Sequence, residues 1–245
     1  MSSRPDWLAR YGAGDHHGVW RELGRLGDRV REPAYAGEAQ EVCDEWARRV
    51  RINLDRIIQR LADQGYRFQV NDDTQTPVVP WTPPSSSAEE HVRWLEATFG
   101  PVPMTVSSWV RVVGDVWLVG THPRWPDASA ADPFVLEIEG TRCPGDDMRA
   151  YLVGEREAWE EYSDGEPFQL PVSPDALHKD NVSGGPPYGI VLPDSGAVGR
   201  IVAAEEMSFV DYVRLALDLG GFPGCTNQDR EGPVISSLRA RLLPL

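Results

Sequence analysis

The chain has 245 residues and a net charge of −14, with 41% hydrophobic and 25% charged residues. This composition is typical of a soluble globular protein, and the length fits one large domain or two small ones. No apolar run approaches the roughly 18 residues of a membrane span. The first residues also lack the apolar stretch of a signal peptide, so we expect a cytoplasmic protein. Cys43, Cys143 and Cys225 are far apart in sequence and form no CxxC pair, which predicts free thiols and no zinc site.

The negative charge is confined to one part of the chain. Residues 1–70 contain twelve Arg and eleven acidic residues, a net charge of +1. Residues 71–245 contain twelve basic and twenty-seven acidic residues, a net charge of −15. Such a field repels nucleic acid and attracts basic proteins or cations. Solubility alone is the other explanation.

Residues 1–70 are predicted to form a helical hairpin. Apolar side chains recur at helical spacing in two series, Val19, Trp20, Leu23, Leu26 and Val30, then Val42, Trp46, Val50, Leu54, Ile57 and Leu61. Gly65 is well placed for a left-handed cap of the second helix. Two helices bury little by themselves, so the hairpin should pack against the rest of the chain or form a homodimer.

An arginine row follows the second predicted helix and consists of Arg48, Arg49, Arg51, Arg56 and Arg60. Such a row occurs in nucleic-acid-binding helices. Acidic residues are interspersed with these arginines, which favours an exposed, salt-bridged face.

Residues 71–87 are rich in Pro, Ser and Thr and follow neither the helical nor the strand period. They are predicted to form an extended linker. Trp81 is costly to leave in water, so we expect it to anchor this linker to the domain.

Residues 88–245 are predicted to form an α+β domain with a mostly antiparallel or mixed central sheet flanked by helices. Ser86 or Ser87, followed by Glu89 or Glu90, suggests a capping box for a helix that ends at Gly100. A second short helix is expected in TVSSWVRVVG and a last one in MSFVDYVRLALDL, with a box-like start at Ser208 and Asp211. Strands are predicted in DVWLVGTH and PFVLEIEG, and near AYLV, PFQLPV, YGIVLPD and GRIVAAE.

Residues 177–194, LHKDNVSGGPPYGIVLPD, are the best candidate for a ligand-binding or catalytic loop. His178, Lys179 and Asn181 would then line a pocket, which is our alternative to a binding function. The loop lacks a P-loop pattern, because its prolines remove amide donors and it leads into a strand. We expect mainly a bend of defined shape, with Asn181 bonding to nearby backbone. Lys179 is the only lysine in the chain, and all other basic side chains are arginine.

The sequence contains no residue spacing typical of a metal site, a hydrolase nucleophile or a cofactor site, so we expect a non-enzymatic protein without a cofactor. Residues 155–167 contain six acidic residues and one arginine around Trp159 and Tyr162. This pattern suits a surface that binds a basic partner, and equally a helix that covers the core through its tryptophan. The residues predicted to contact a partner are Trp117, His122, Trp125, Trp159, Tyr162, His178, Lys179 and Tyr188.

The segment EHVRWLEATFGPVPMTVSSWVRVVGDVWLVGTHP resembles the start of the SUKH superfamily, which includes yeast cell-wall synthesis regulators and bacterial toxin-immunity proteins. The shared order is a helix ending near glycine, a proline-containing turn, a second helix with an aromatic residue and a glycine-ending strand. MSFVDYVRLAL resembles the closing helix of that family. The expected Asn-Gly-Gly-like turn is replaced here by Val113, Gly114 and Asp115.

The resemblance covers about residues 86–220 and leaves out residues 1–85. It implies an α+β domain with a central sheet flanked by helices and without catalytic residues. It also implies binding to another protein, commonly a toxin whose active site is blocked. The acidic second part of the chain agrees with a basic target of the nuclease type.

Overall fold

A computed structural model gives the fold of this chain and describes residues 5–141 and 147–245. The fold is α+β with antiparallel sheets, as predicted. Cys43 and Cys225 are buried free thiols, whereas Cys143 lies outside the described residues. Within the described ranges, none of the helices has the length and apolar character needed to cross a bilayer.

The N-terminal region contains three helices, α1 (Trp7–Gly12), α2 (His16–Leu26) and α3 (Ala36–Asp63), with a 3₁₀ turn at Gly27–Arg31 after α2. The predicted apolar positions of α2 and α3 are buried, apart from Leu26, which is half-buried. Gly65 follows α3 with a φ of +81°, the left-handed conformation expected of it. The helix α1 was not predicted.

Helix α3 packs against the middle of the chain. Its strongest contacts are with α5 (Met104–Ser108) and the π-helical turn Trp109–Val113 that follows. Trp46 of α3 meets Trp109 with their ring centroids 6.3 Å apart. One hydrophobic cluster extends from Trp7 to Leu245, so the predicted division at residues 71–87 does not correspond to a break in the core. The apolar faces that suggested a homodimer are covered by the chain itself.

Residues 71–87 contain strand β2 (Trp81–Thr82), which pairs with β3 (Asp115–Trp117). Trp81 anchors this segment as expected. Its indole Nε1 donates to the carbonyl of Val113 at 2.7 Å, and the Arg51 guanidinium lies 3.3 Å from the centre of its ring.

The strands form three small antiparallel sheets within the described residues. One pairs β1 (Arg67–Phe68) with β4 (Gly120–Thr121), and the second has the order β2-β3-β5, with β5 at Val135–Leu136. The third follows the chain: β6 (Phe168–Ser173), β7 (Tyr188–Leu192), β8 (Arg200–Val202) and β9 (Glu206–Ser208).

The remaining helical elements are α4 (Ala88–Phe99), a 3₁₀ turn at Pro126–Ala131, α6 (Met148–Tyr162), α7 (Ala176–Lys179), α8 (Phe209–Asp218), α9 (Asn227–Glu231) and α10 (Pro233–Leu238). Ser208 caps α8 as predicted, because its hydroxyl accepts from the Asp211 amide at 3.0 Å. The predicted capping box of α4 is wrong, since Ser87 makes no side-chain cap bond and its hydroxyl meets Ser85 instead.

The strand predicted at AYLV is also wrong, because residues 150–153 lie in the first turns of α6. Of the apolar residues in this stretch, only Leu152 is fully buried. A short run of this kind fits a strand and an amphipathic helix equally well. Asp147 decides for the helix, because its carboxylate accepts from the Ala150 amide at 3.0 Å.

The arginine row of α3 has a partly structural role. Arg49, Arg56 and Arg60 donate to the carbonyls of Pro244, Arg241 and Leu238, at 3.2, 2.9 and 2.7 Å. Within α3, Arg48 and Arg49 pair with Glu45, and Arg51 pairs with Asp55.

Buried Asn53 completes this contact between α3 and the last residues of the chain. Its amide nitrogen donates to the Leu243 carbonyl at 2.8 Å, and its amide oxygen accepts from the Leu243 amide at 2.7 Å. The side-chain amide thereby satisfies both the N–H and the C=O of Leu243, as the backbone of a paired β-strand would.

We expect Asn53→Ala to lower the free energy of unfolding by about 2 kcal/mol, because it removes both partners of the Leu243 backbone. Gln59→Ala is the control: Gln59 is exposed, and its side chain bonds only to Asp63. This change should stay within about 0.5 kcal/mol. Urea denaturation of the two variants measures the difference, and equal effects would contradict the structural role of Asn53.

Candidate functional site

The loop between β6 and β7 is organised by the carboxylate of Asp175. Asp175 precedes α7 and accepts from the backbone amide of His178 at 2.9 Å and from its imidazole Nδ1 at 2.6 Å. It also accepts from the amide of Gly185 at 2.6 Å. Three donors on one carboxylate fix both ends of the loop and the orientation of the imidazole.

The charge of Asp175 depends on these bonds. Burial raises the pKa of its carboxyl, but the hydrogen bonds from the His178 and Gly185 amides and from the imidazole outweigh burial and leave the pKa below its ordinary value. Gly184 lies directly against the carboxylate, and a Cβ at this position would collide with its oxygens. Gly184 is therefore needed for the approach of the loop to Asp175, whereas a Cβ at Gly185 would make an ordinary contact of 3.6 Å.

A groove of about 280 Å³ lies between this loop, β6 and α6. Its apolar wall includes Met148, Tyr151, Pro171, Val172, Pro174 and Pro187, and its polar groups include Glu137, Ser173 and His178. The side chain of His178 is 46% exposed. Because Nδ1 is held by Asp175, the imidazole presents its other edge to solvent.

The inner face of α6 holds the helix on the sheet. Leu152 is buried, and Trp159 packs against Phe168 of β6 with ring centroids 5.8 Å apart. The Trp159 indole Nε1 donates to the Glu166 carbonyl at 3.0 Å. Arg156 lies over both rings and pairs with Glu160 at 2.7 Å, so the only arginine of the acidic segment is already engaged.

The outer face of α6 is exposed, apart from Glu155, which is half-buried. Tyr151, Glu155, Ala158 and Tyr162 follow the i, i+4, i+7, i+11 spacing of a single helical stripe. Tyr151 is 46% and Tyr162 is 75% exposed. We call this stripe, together with Glu157 and Glu161 beside it, the acidic helix face. No described basic side chain lies within ion-pair distance of its three glutamates.

Tyr151 lies where the acidic helix face meets the groove, since it also lines the groove wall. Burial, followed by the nearby Glu155 carboxylate, raises the pKa of the Tyr151 phenol. From Tyr151 to Tyr162 the helix rises about 16 Å. The groove and the helix face therefore form one continuous surface with an aromatic ring near each end.

Lys179 points into the core and not toward this surface. The residue is 1% exposed, and its Nζ lies 2.6 Å from Oδ1 of Asp132 and 4.6 Å from the centre of the Tyr188 ring. The Tyr188 hydroxyl donates to the other Asp132 oxygen at 3.2 Å. The buried hydroxyl of neighbouring Tyr212 has no hydrogen-bond partner among the described residues.

The side chains of the predicted catalytic loop diverge. His178 lines the groove, whereas Lys179 and Asn181 both border a separate cavity of about 240 Å³. The ammonium of Lys179 is buried against Asp132 and is closed to solvent. With a φ of +57°, Asn181 donates its side-chain amide to Asp73 at 2.8 Å. Its bond to nearby backbone comes from its own N–H, which donates to the His178 carbonyl at 3.1 Å. The predicted bend is present and leads into β7.

Five of the eight residues predicted to contact a partner are buried and offer little area to one: Trp117, His122, Trp125, Lys179 and Tyr188. Trp117 donates its indole N–H to the Gln69 carbonyl, and Trp125 packs edge-on against Phe222. Each fills the core with its ring, which the sequence pattern does not distinguish from a surface role. Trp159 is half-buried under Arg156, while Tyr162 and His178 remain accessible.

Searches against family models, curated protein sequences and solved structures return no match to this chain.

The described part of the chain also contains no group of three or more His, Cys, Asp or Glu side chains arranged to hold a metal ion. The candidate site is therefore defined by its own geometry: the groove, the acidic helix face and the loop that orients His178.

Three residues of this region were missed from the sequence. Asp175 had a local signal, since an Asp three residues before a bonding partner is typical of a helix start. Tyr151 was hidden by the wrong strand assignment at residues 150–153. Asp132 had no signal, because it lies 47 positions from Lys179 and meets it only in the folded chain.

We expect Asp175→Asn to lower the free energy of unfolding by about 1–2 kcal/mol at pH 7, since a neutral amide oxygen replaces a charged acceptor of three bonds. Because the folded pKa of Asp175 is depressed, its contribution is complete above the unfolded pKa. It is lost as the pH falls through the folded value. Urea denaturation should show the gap between wild type and variant closing below about pH 4.

Glu166→Gln is the control, since it also removes one carboxylate. The Glu166 side chain makes no described hydrogen bond, because only its backbone carbonyl accepts one, from Trp159. A gap for Asp175→Asn that stays constant to pH 3 would contradict the charge-based explanation.

Proposed function

We propose that this protein is a non-enzymatic interaction module whose acidic helix face and adjoining groove bind a basic protein. One observation supports this most directly. Helix α6 buries a single residue fully, yet its outer face presents two exposed tyrosines and three glutamates without a described basic partner. A helix needed only to cover the core would gain nothing from exposed aromatic rings.

The chemistry of this face suits a protein partner. Tyrosine supplies contact area from a rigid ring and a hydroxyl that remains able to bond, and such residues often dominate binding energy. The glutamates contribute long-range attraction to a basic surface, which raises the association rate. The net charge of −15 over residues 71–245 strengthens this attraction.

The groove adds a recess for an apolar side chain of the partner. Its wall is formed mainly by proline, methionine, valine and tyrosine side chains, and Tyr151 joins it to the helix face. Asp175 holds the loop that forms the opposite wall, so the recess exists before the partner arrives. A preformed recess lowers the ordering cost of binding.

The alternative, an enzyme or small-ligand binder that uses residues 177–194, has less support. An active site requires titratable groups that converge on one cavity. His178 instead lines the groove, whereas Lys179 and Asn181 border a different cavity, and the amine of Lys179 is closed to solvent. An accessible histidine beside an apolar groove can contact a bound partner without having a catalytic role.

The resemblance of residues 86–220 to the SUKH superfamily supports a more specific form of the proposal. In that form the protein is a cytoplasmic immunity protein, and its partner is a basic toxin whose active site it blocks. The charge distribution agrees with such a target, because basic enzymes that act on nucleic acid would be attracted to the acidic part of the chain.

The decisive experiment is affinity capture from the host at low and high salt, with identification of the retained proteins by mass spectrometry. We expect the wild type to retain a basic protein at low salt and to release it as salt rises. The triple variant Glu157→Gln, Glu161→Gln, Tyr162→Ala should retain it at least about tenfold less well, which corresponds to about 1.4 kcal/mol.

A matched control removes two exposed acids elsewhere, through Glu41→Gln on α3 and Glu205→Gln between β8 and β9. This variant has the same loss of charge as the triple variant but keeps the acidic helix face. Equal weakening by both variants would show general charge attraction and would overturn the assigned surface. Retention of no basic protein by the wild type would overturn the proposal itself.

A further inference from the structure

The buried cluster around Lys179 is not explained by a docking function, because none of it reaches the proposed surface. It joins α7 to the end of the 3₁₀ turn Pro126–Ala131, where Asp132 has a left-handed φ of +52°. We propose that Lys179 and Asp132 condense into an amide, so that the folded chain contains a covalent cross-link between their side chains.

The positions of the reacting groups carry this proposal. Nζ of Lys179 lies 2.6 Å from the Asp132 carboxylate in a contact whose side chains are 0% and 9% exposed. The Tyr188 hydroxyl donates to the second carboxylate oxygen. The site therefore brings together an amine, a carboxyl group and a hydrogen-bond donor. It also excludes bulk water, which favours condensation over hydrolysis.

The reaction needs no other reactant. One proton moves from the ammonium to the carboxylate, which gives a neutral amine and a carboxylic acid. The nitrogen lone pair attacks the carboxyl carbon, and Tyr188 stabilises the oxygen that becomes negative by hydrogen bonding. The C–O bond then breaks, and the leaving hydroxyl takes a second proton from nitrogen and departs as water.

Burial favours the amide in two ways. A desolvated ion pair carries a large energetic penalty, which a neutral amide does not. Burial also lowers the pKa of the Lys179 ammonium, although the Asp132 carboxylate opposes that effect, so the neutral amine needed for attack becomes more accessible.

The sequence provides an independent argument. The chain uses arginine at every basic position except residue 179. Arginine would satisfy a structural ion pair and is often preferred in buried ones. A primary amine, unlike a guanidinium, can also act as a nucleophile once it is deprotonated. The single lysine of the chain thus lies where the proposed chemistry needs a primary amine.

The cross-link would join residues 47 positions apart and constrain the unfolded chain. It would also hold α7, and with it His178, against the 3₁₀ turn. The proposal is independent of the partner proposed above, and either can fail without the other.

The test is the intact mass of the folded, full-length wild-type protein, measured under denaturing conditions. We expect a mass lower than that of the sequence by one water, and a tryptic digest in which the peptides containing Lys179 and Asp132 are linked. An unmodified mass in the folded wild type would overturn the proposal and leave an ion pair only. A lost water that maps to a succinimide at Asp164 and Gly165 would also overturn it.

Three variants test the amine, the carboxyl group and the hydrogen-bond donor of the proposed reaction. Circular dichroism establishes that each variant is folded. Lys179→Arg should restore the full mass, because a guanidinium does not form this amide. Asp132→Asn should lose one ammonia in place of one water. Tyr188→Phe should slow the reaction, so that linked and unlinked chains coexist after refolding. A water loss that persists unchanged in Lys179→Arg would contradict the assignment.

Discussion

The packing of α3 against α5 and the π-helical turn Trp109–Val113 is the contact on which the other elements depend. A helix of 28 residues with an apolar stripe has no stable exposed state, and this helix buries more residues than α1 or α2. Trp46 and Trp109 meet there, and Phe209 of α8 contacts both rings. The N-terminal helices, the middle segment and the closing helix therefore share one core, and the small sheets are attached around it.

This arrangement also determines what the arginines of α3 do. With the apolar side of the helix buried, its flank faces the last residues of the chain, whose carbonyls lack partners in a sheet. Guanidinium groups and the amide of Asn53 supply those partners. A basic row that suggests nucleic-acid binding in a sequence thus becomes a set of backbone hydrogen bonds, which agrees with the acidic character of the remaining surface.

The loop between β6 and β7 borders two different environments. Next to α6, Asp175 orients His178 toward an open groove, and next to Asp132, Lys179 enters a site closed to water. Adjacent residues of a one-turn helix point in different directions, so neighbouring polar side chains need not share a function. The proposed docking surface and the proposed cross-link are two consequences of this local geometry.

The sequence alone determined the α+β class, the two long N-terminal helices, the caps at Gly65 and Ser208, and the concentration of acidic residues after position 70, because these depend on periodicity, local hydrogen bonding and counts of charge. It also identified Tyr162 and His178, which remain accessible. Tertiary structure alone decided that Trp117, Trp125 and Tyr188 are core residues, that residues 150–153 are helical, and that Lys179 meets Asp132. These outcomes depend on which distant segments pack together, and burial by a partner segment leaves no trace in local spacing.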